Sequence, residues 1–217
     1  MTILALEFSS DRRAVAVVRS GELASRAEDQ EGRSTRAFRL IEQVLKEAGL
    51  EREAVETIAI GLGPGSYTGI RVAISIGQGW RLARGTKLVG MSSVDCLSEQ
   101  ARVSGVRGPL HIAIDAQRGE FYHAAFDLTD TDARSLVALH LATREEITRS
   151  ARRERVWCSP DLVTHFPGSQ GVYPDAAILG QIAVNRAPGV SESELQPIYL
   201  RETSFVKAPP TRSVVMD

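Results

Sequence analysis

The sequence predicts an α/β protein built from two related halves. An apolar run ending in an acid, a polar turn and a second apolar run occur at residues 3–18 and again at 109–128. This sets Glu7 and Asp115 108 positions apart in a chain of 217 residues. A strand–acid–turn–strand unit appearing once in each half points to internal duplication. Segments of strand character also alternate with segments of helical period, the pattern of sheets covered by helices. Finally, a glycine-rich stretch, Gly61-Leu62-Gly63-Pro64-Gly65-Ser66-Tyr67-Thr68-Gly69-Ile70-Arg71, joins an apolar run to a helical one.

In chain order, residues 3–8, 14–18 and 23–27 read as three strands joined by polar turns, the second turn marked by Gly21. Ser34 or Thr35 caps a first helix. Its apolar residues Ala37, Leu40, Ile41, Val44, Leu45 and Ala48 fall on one face, and Gly49 stands where a left-handed C-terminal residue is wanted. Residues 55–60 form the apolar run before the glycine-rich stretch, and residues 68–83 a second helix unusually rich in small residues. Glycine within a helix costs about 1 kcal/mol relative to alanine, so Gly77 and Gly79 ask for a packing reason. Trp80 beside them reads as core or as interface. Residues 88–91 form a strand, and Ser92-Ser93-Val94-Asp95 opens a helix to about residue 103. In the second half, residues 109–115, 120–128, 136–141 and 155–159 read as strands. Thr143-Arg144-Glu145-Glu146 is a capping box, and Tyr173-Pro174 starts a helix carrying Ile178, Leu179, Ile182, Ala183 and Arg186. The polar, proline-bearing stretch from Arg201 reads as a poorly ordered tail. Two subdomains are expected, 1–105 and 106–217.

Composition bounds the function. Apolar residues make up 43% of the chain, enough for a core, and net charge is −1. A dedicated nucleic-acid binder carries a strong basic excess, so RNA contact is expected only where it is shared with a partner. The run 2–6 is interrupted by Glu7, and no run approaches the roughly eighteen apolar residues of a membrane-spanning helix. Neither a signal peptide nor a membrane role is expected, and the cytoplasm is the expected compartment. Cys96 and Cys158, without a CxxC motif, read as free buried thiols.

The chemistry-bearing candidates are few. The 61–71 stretch has the strand–turn–helix form of an anion site. It lacks the lysine of a P-loop, however, and has Ser66 where the dinucleotide fingerprint needs glycine. A tight turn at a close helix–strand contact is the better reading. His111, His123, His140 and His165 show no helical metal-ligand spacing. His111 and His123 read as satisfied strand residues, and no metal site is expected. Glu7 and Asp115 form the best acid pair, placed where duplicated kinase and ATPase folds hold Mg²⁺ and phosphate. Their followers Phe8 and Ala116 carry Cβ atoms where such loops have glycine, so close phosphate approach is disfavoured. Arg144, Arg149, Arg152, Arg153 and Arg155, interspersed with Glu145, Glu146 and Glu154, read first as a solvated surface. The residues thus describe a nucleotide-kinase-like architecture without its catalytic apparatus.

Gly63 to Arg71 resembles the G-P-G-S-[FY]-T-G-[LI]-R signature of the TsaB (YeaZ) family. The resemblance extends in order to Ile3-Leu4-Ala5-Leu6-Glu7-Phe8-Ser9, Val89-Gly90-Met91-Ser92-Ser93, Ile114-Asp115-Ala116-Gln117-Arg118-Gly119-Glu120 and Pro197-Ile198-Tyr199-Leu200-Arg201. Glu7-Phe8 stands for the family's Asp-Thr, and Arg33-Ser34-Thr35 for its frequent H-S-E. The resemblance implies an actin-like ATPase (ASKHA, ribonuclease H-like) fold of two duplicated α/β subdomains. It also implies a non-catalytic subunit that activates TsaD in making threonylcarbamoyladenosine at position 37 of tRNAs reading ANN codons. The implied partners are a TsaD-like subunit, a TsaE-like ATPase, a second copy when alone, and tRNA only through the complex. No cofactor is implied, ATP or Mg entering only weakly or through partner subunits. On this reading Ser34, Ala37, Ile41, Gly69, Ala73, Gly77 and Trp80 form the partner face, with the small residues permitting close helix contact. The alternatives are a metallohydrolase of the M22 glycoprotease type and an ASKHA phosphotransferase.

Overall fold

The computed structural model describes residues 1–29, 37–185 and 195–200. In the first half, β1 (Thr2–Glu7), β2 (Arg13–Arg19) and β3 (Glu22–Asp29) are followed by α1 (Ala37–Glu47). Then come β4 (Thr57–Gly61), α2 (Tyr67–Arg84), β5 (Lys87–Met91) and α3 (Ser93–Val103). The second half runs β6 (Gly108–Asp115), β7 (Glu120–Leu128), β8 (Ala133–Thr143), α4 (Arg144–Ala151), β9 (Arg155–Cys158), β10 (Gln170–Gly171) and α5 (Ala176–Asn185).

The two sheets have the same plan. Their orders are β3-β2-β1-β4-β5 and, read in the same sense, β8-β7-β6-β9-β10. β1 lies antiparallel to β2 and parallel to β4; β6 lies antiparallel to β7 and parallel to β9. The outer pairs repeat the same senses. The fold is therefore the duplicated actin-like ATPase arrangement. The halves differ after the fourth strand: α2 follows β4, whereas β9 is followed by a single 3₁₀ turn, Pro160–Leu162.

Local sequence explains the elements. β1 and β4 are central, buried on both faces and correspondingly almost continuously apolar. Ser20 and Gly21 both take positive φ, the two-residue turn that suits the twist between β2 and β3. Gly49 and Gly85 end α1 and α2 in the left-handed region. The Thr143 capping box forms as expected, with Glu146 N–H bonded to Thr143 Oγ1 and Thr143 N–H to Glu146 Oε2. α5 starts later than the Tyr173-Pro174 signal suggests. Asp175 is the residue that accepts, through its carboxylate, the Ala177 N–H at 2.7 Å. Ser34, Arg186 and the stretch from Arg201 lie outside the described residues.

Each sheet lies between helices, but the helices are exchanged. α1 and α2 cover one face of the first sheet, burying Leu4, Leu6, Phe8, Ile58 and Ile60. Its other face is covered by α5, which comes from the second half. The second sheet is covered on one face by its own α4 and on the other by α3, from the first half. α3 and α5 also touch each other between the lobes.

Candidate functional site

The glycine-rich turn is seated on the first hairpin turn rather than on open space. Ser66 N–H donates to Ser9 O at 2.6 Å, and Ser93 N–H donates to Gly63 O at 2.7 Å. A Cβ on Gly65 would stand 2.0 Å from Ser9 O, and one on Gly69 2.0 Å from Phe8 O. These two glycines are therefore required by close approach of backbone to backbone. Ser66 caps α2, accepting from Gly69 N–H. The Gly63–Pro64 peptide is cis. Beneath the turn lies Glu7, fully buried. Its carboxylate accepts Ser9 N–H at 2.8 Å and Ser93 Oγ–H at 3.3 Å, and fills the space beside Gly61, where a Cβ would meet Oε2 at 2.1 Å. Burial raises the Glu7 pKa against the hydrogen bonds of Ser9 and Ser93 and the charge of Arg12.

The residues named for the partner face separate into two sets. Ala37, Ile41, Gly69, Ala73 and Gly77 are buried against the chain's own core, Gly77 over Ile60 and Leu88 of the first sheet. The small residues of α2 thus let that helix sit close to its own sheet, which corrects their reading as a seam for another helix. What is open is the opposite flank, a groove of about 860 Å³ between α1 and α2. Phe38, Thr68, Val72, Ser75, Gly79 and Trp80 line it, with the side chain of Ile41 as floor. Phe38 is 62% exposed and Tyr67 53%. Trp80 serves both readings, packed against the first core and walling the groove. Two ion pairs stand at the rim, Arg52–Glu42 at 2.6 Å and Arg84–Glu53 at 2.9 Å. Phe38 was missed in the sequence, although it is an apolar residue out of phase with the stripe of α1 and so a readable sign of an exposed anchor.

At the head of the groove two sequence motifs meet. Arg71 lies over the Tyr67 ring and donates to its hydroxyl, and the ring of Tyr199 sits 5.0 Å from that of Tyr67. Residues 195–200 are strapped across the turn: Leu195 is buried, and Ile198 N–H donates to Leu62 O at 2.9 Å. Burial beside Tyr67 pushes the Tyr199 hydroxyl up to about 12.

The cleft between the lobes is the place where Glu7 and Asp115 could have met a nucleotide. Glu7 is sealed off from it. Asp115 does line it, but accepts the N–H and side-chain amide of Gln117 at 2.8 and 2.6 Å. Asp11, Asp115 and Asp161 line this cleft of about 400 Å³, and among the described residues no lysine or arginine lines it. Such walls repel phosphate. Among the described residues no group of three or more His, Cys, Asp or Glu is placed to hold a metal ion. Three histidines do assemble, across β6, β7 and β8. His111 Nδ1 lies 2.9 Å from His123 Nε2, His111 Nε2 lies 2.8 Å from Glu154, and the His140 ring stands edge-on to His123. Helical spacing could not reveal them; the pairing of His123 with His140 across the hairpin does. Among the described residues no helix is long and apolar enough to cross a membrane.

The comparisons with known proteins agree with this geometry. Residues 28–152 match the family model for TsaD, tRNA N6-adenosine threonylcarbamoyltransferase. The chain is 26% identical to the tRNA threonylcarbamoyladenosine biosynthesis protein TsaB of Haemophilus influenzae, over 96% of this chain and 98% of that one. It is 32% identical to TsaB of Escherichia coli over 58% and 55% of the two chains. A crystal structure from Pseudomonas aeruginosa, of an uncharacterized protein with similarity to the peptidase YEAZ, superimposes with a TM-score of 0.78. That match has 26% identity and covers 92% of this chain and 99% of that one. A family model spanning more than half the chain, a TsaB relative aligned almost end to end and a YeaZ-like structure matched over nearly its whole length lead to one assignment: the chain belongs to the TsaB (YeaZ) family.

Proposed function

We propose that the chain is a non-catalytic subunit that binds and activates a TsaD-like subunit for N6-threonylcarbamoylation of adenosine 37 in tRNAs reading ANN codons. The observation that carries this reading is the open apolar groove between α1 and α2, with Phe38 and Tyr67 projecting beside it. Exposed apolar surface of this kind, rimmed by charge, marks a protein contact. The names of the relatives supply the pathway. The acid-walled cleft and the sealed Glu7 argue against phosphoryl transfer by this chain alone. A TsaE-like ATPase joins the pair, tRNA is met only through the complex, and a second copy takes the groove when no partner is present.

The test is reconstitution with a cognate TsaD-like subunit, a TsaE-like ATPase, tRNA and threonylcarbamoyl-adenylate, measuring modified adenosine. Omission of this chain is expected to abolish the yield; an unchanged yield overturns the reading. Phe38→Asp, at an exposed anchor, is expected to weaken pairing by about 30-fold or more while the thermal midpoint is kept. Stoichiometric zinc or robust ATP turnover by the purified chain favours the hydrolase or phosphotransferase instead.

A further inference from the structure

We propose that the cleft between the lobes is a receptor for a basic side chain, lysine or arginine, of the same partner that fills the groove. The inference rests on the reading of the groove as the partner site, and extends that site around the start of α2.

The walls choose the sign of the ligand's charge. Asp11, Asp115 and Asp161 line the cleft, and among the described residues no lysine or arginine stands with them. Asp115 is engaged by the two amides of Gln117. Asp11 and Asp161 are exposed, and their carboxylates hold no hydrogen bond or ion pair among the described residues. Carboxylates without a cation leave the cleft at negative potential, focused by its low-dielectric walls.

The walls also choose the kind of cation. The three acids are not placed to hold a metal ion, so their charge is spread over the cleft. The rings of Tyr67, Tyr173 and Tyr199 line the same space. A guanidinium or ammonium on a methylene stem is attracted by phenol rings as well as by carboxylates. The chain already uses two of these rings in that way. The Arg71 guanidinium lies 5.0 Å from the centre of the Tyr67 ring, and that of Arg12 lies 5.2 Å from the centre of Tyr173. Neither arginine lines the cleft.

Continuity chooses the source. Tyr67, in the first turn of α2, lines the cleft and the groove alike, and its ring packs on that of Tyr199. A partner lying along the groove therefore has one end beside the cleft. A lysine or arginine at that end keeps its apolar stem against the two tyrosines and its charge among the aspartates. Contacts of this kind govern partner choice and association rate more than raw affinity.

Pairing with the cognate TsaD-like subunit supplies the test. Asp11→Asn combined with Asp161→Asn is expected to weaken pairing about three- to thirtyfold at roughly 0.05 M salt, mainly through slower association, and to have little effect at about 0.5 M. Pairing as tight as the parent's at low salt overturns the proposal. A small probe gives a second reading. n-Butylguanidinium chloride is expected to weaken pairing of the parent more than sodium chloride or neutral n-butylurea at the same concentration, and to have no such extra effect on the double variant. No difference among the three overturns the proposal. Calorimetric binding of n-butylguanidinium to the free chain, lost in the double variant but without effect on pairing, overturns it too, by making a free cation the ligand. Phe38→Asp keeps the two readings apart. If it abolishes pairing while the aspartate changes do nothing, the groove stands and the cleft claim fails. If it leaves pairing untouched while the aspartate changes weaken it, the groove reading fails and the cleft contact stands.

Discussion

Glu7 ends β1 wholly out of contact with solvent, where water cannot help to carry its charge. Burial outweighs its hydrogen bonds and raises its pKa above the ordinary 4.5. A raised carboxyl favours the folded state most at low pH, and that contribution is lost as pH rises from 4.5 through the folded value. Glu7→Gln, neutral and of the same shape, is therefore expected to be more stable than the parent at pH 7.5 and to lose that advantage near pH 4. Urea denaturation at both pH values checks this; an advantage independent of pH refutes it. His123 has the opposite sense. Burial first, then the neighbouring His111 and His140, lower its pKa from 6.5 to about 4. The unfolded chain takes up this proton first, so stability falls as pH drops from 6.5 towards 4, by on the order of 3 kcal/mol in total. With Glu154 accepting from His111 Nε2–H, His111 Nδ1 accepts from His123 Nε2–H, a bond the amide of glutamine can replace. His123→Gln is expected to flatten the acid slope, as read from denaturation midpoints at half-unit pH steps. Neither environment was legible in the sequence. Glu7 showed there as an acid at a strand end, but its burial depends on Ser93 and Gly61, far along the chain.

At the scale of the element, α2 shows what spacing can and cannot say. Its small residues mark a face that something approaches closely, and only the structure identifies that something as the chain's own sheet and first turn. The glycines consequently divide. Gly69→Ala puts a methyl group against the Phe8 carbonyl and is expected to destabilise by about 1–3 kcal/mol. Gly79 has open space around its Cβ position and sits in an exposed part of the helix, so Gly79→Ala is expected to stabilise by about 0.5–1 kcal/mol. Thermal and urea melts of the two variants check the opposite signs. The rest of the secondary structure was largely readable, because period and capping are local. The stripe of α1, its Gly49 end and the Thr143 box all follow from near neighbours. The start of α5 was displaced because Pro174 satisfies a first-turn preference one residue ahead of the Asp175 carboxylate that caps the helix.

For the whole molecule, the pairing of Glu7 with Asp115 was enough to expose the duplication. The strand order and the traffic of helices between lobes were not visible, since no local signal says which sheet a helix will cover. The groove itself was not legible: the residues named on α1 and α2 proved largely to face the chain's own core, and the exposed flank carrying Phe38 was not named. The exchange of α3 and α5 makes each lobe depend on the other. Residues 1–105 expressed alone would leave the α5 side of the first sheet bare, and residues 106–217 would leave the α3 side of the second bare. Each piece is expected to aggregate by itself and the two to form a soluble one-to-one complex when co-expressed, as size-exclusion chromatography would show; a well-folded monomer of either piece would contradict this. The same exchange says something about origin. A half-length ancestor with this layout could not close its own sheet, but two copies could close both by each lending its last helix to the other. The present chain has the layout of such a swapped pair, with the stretch between α3 and β6 joining the two halves.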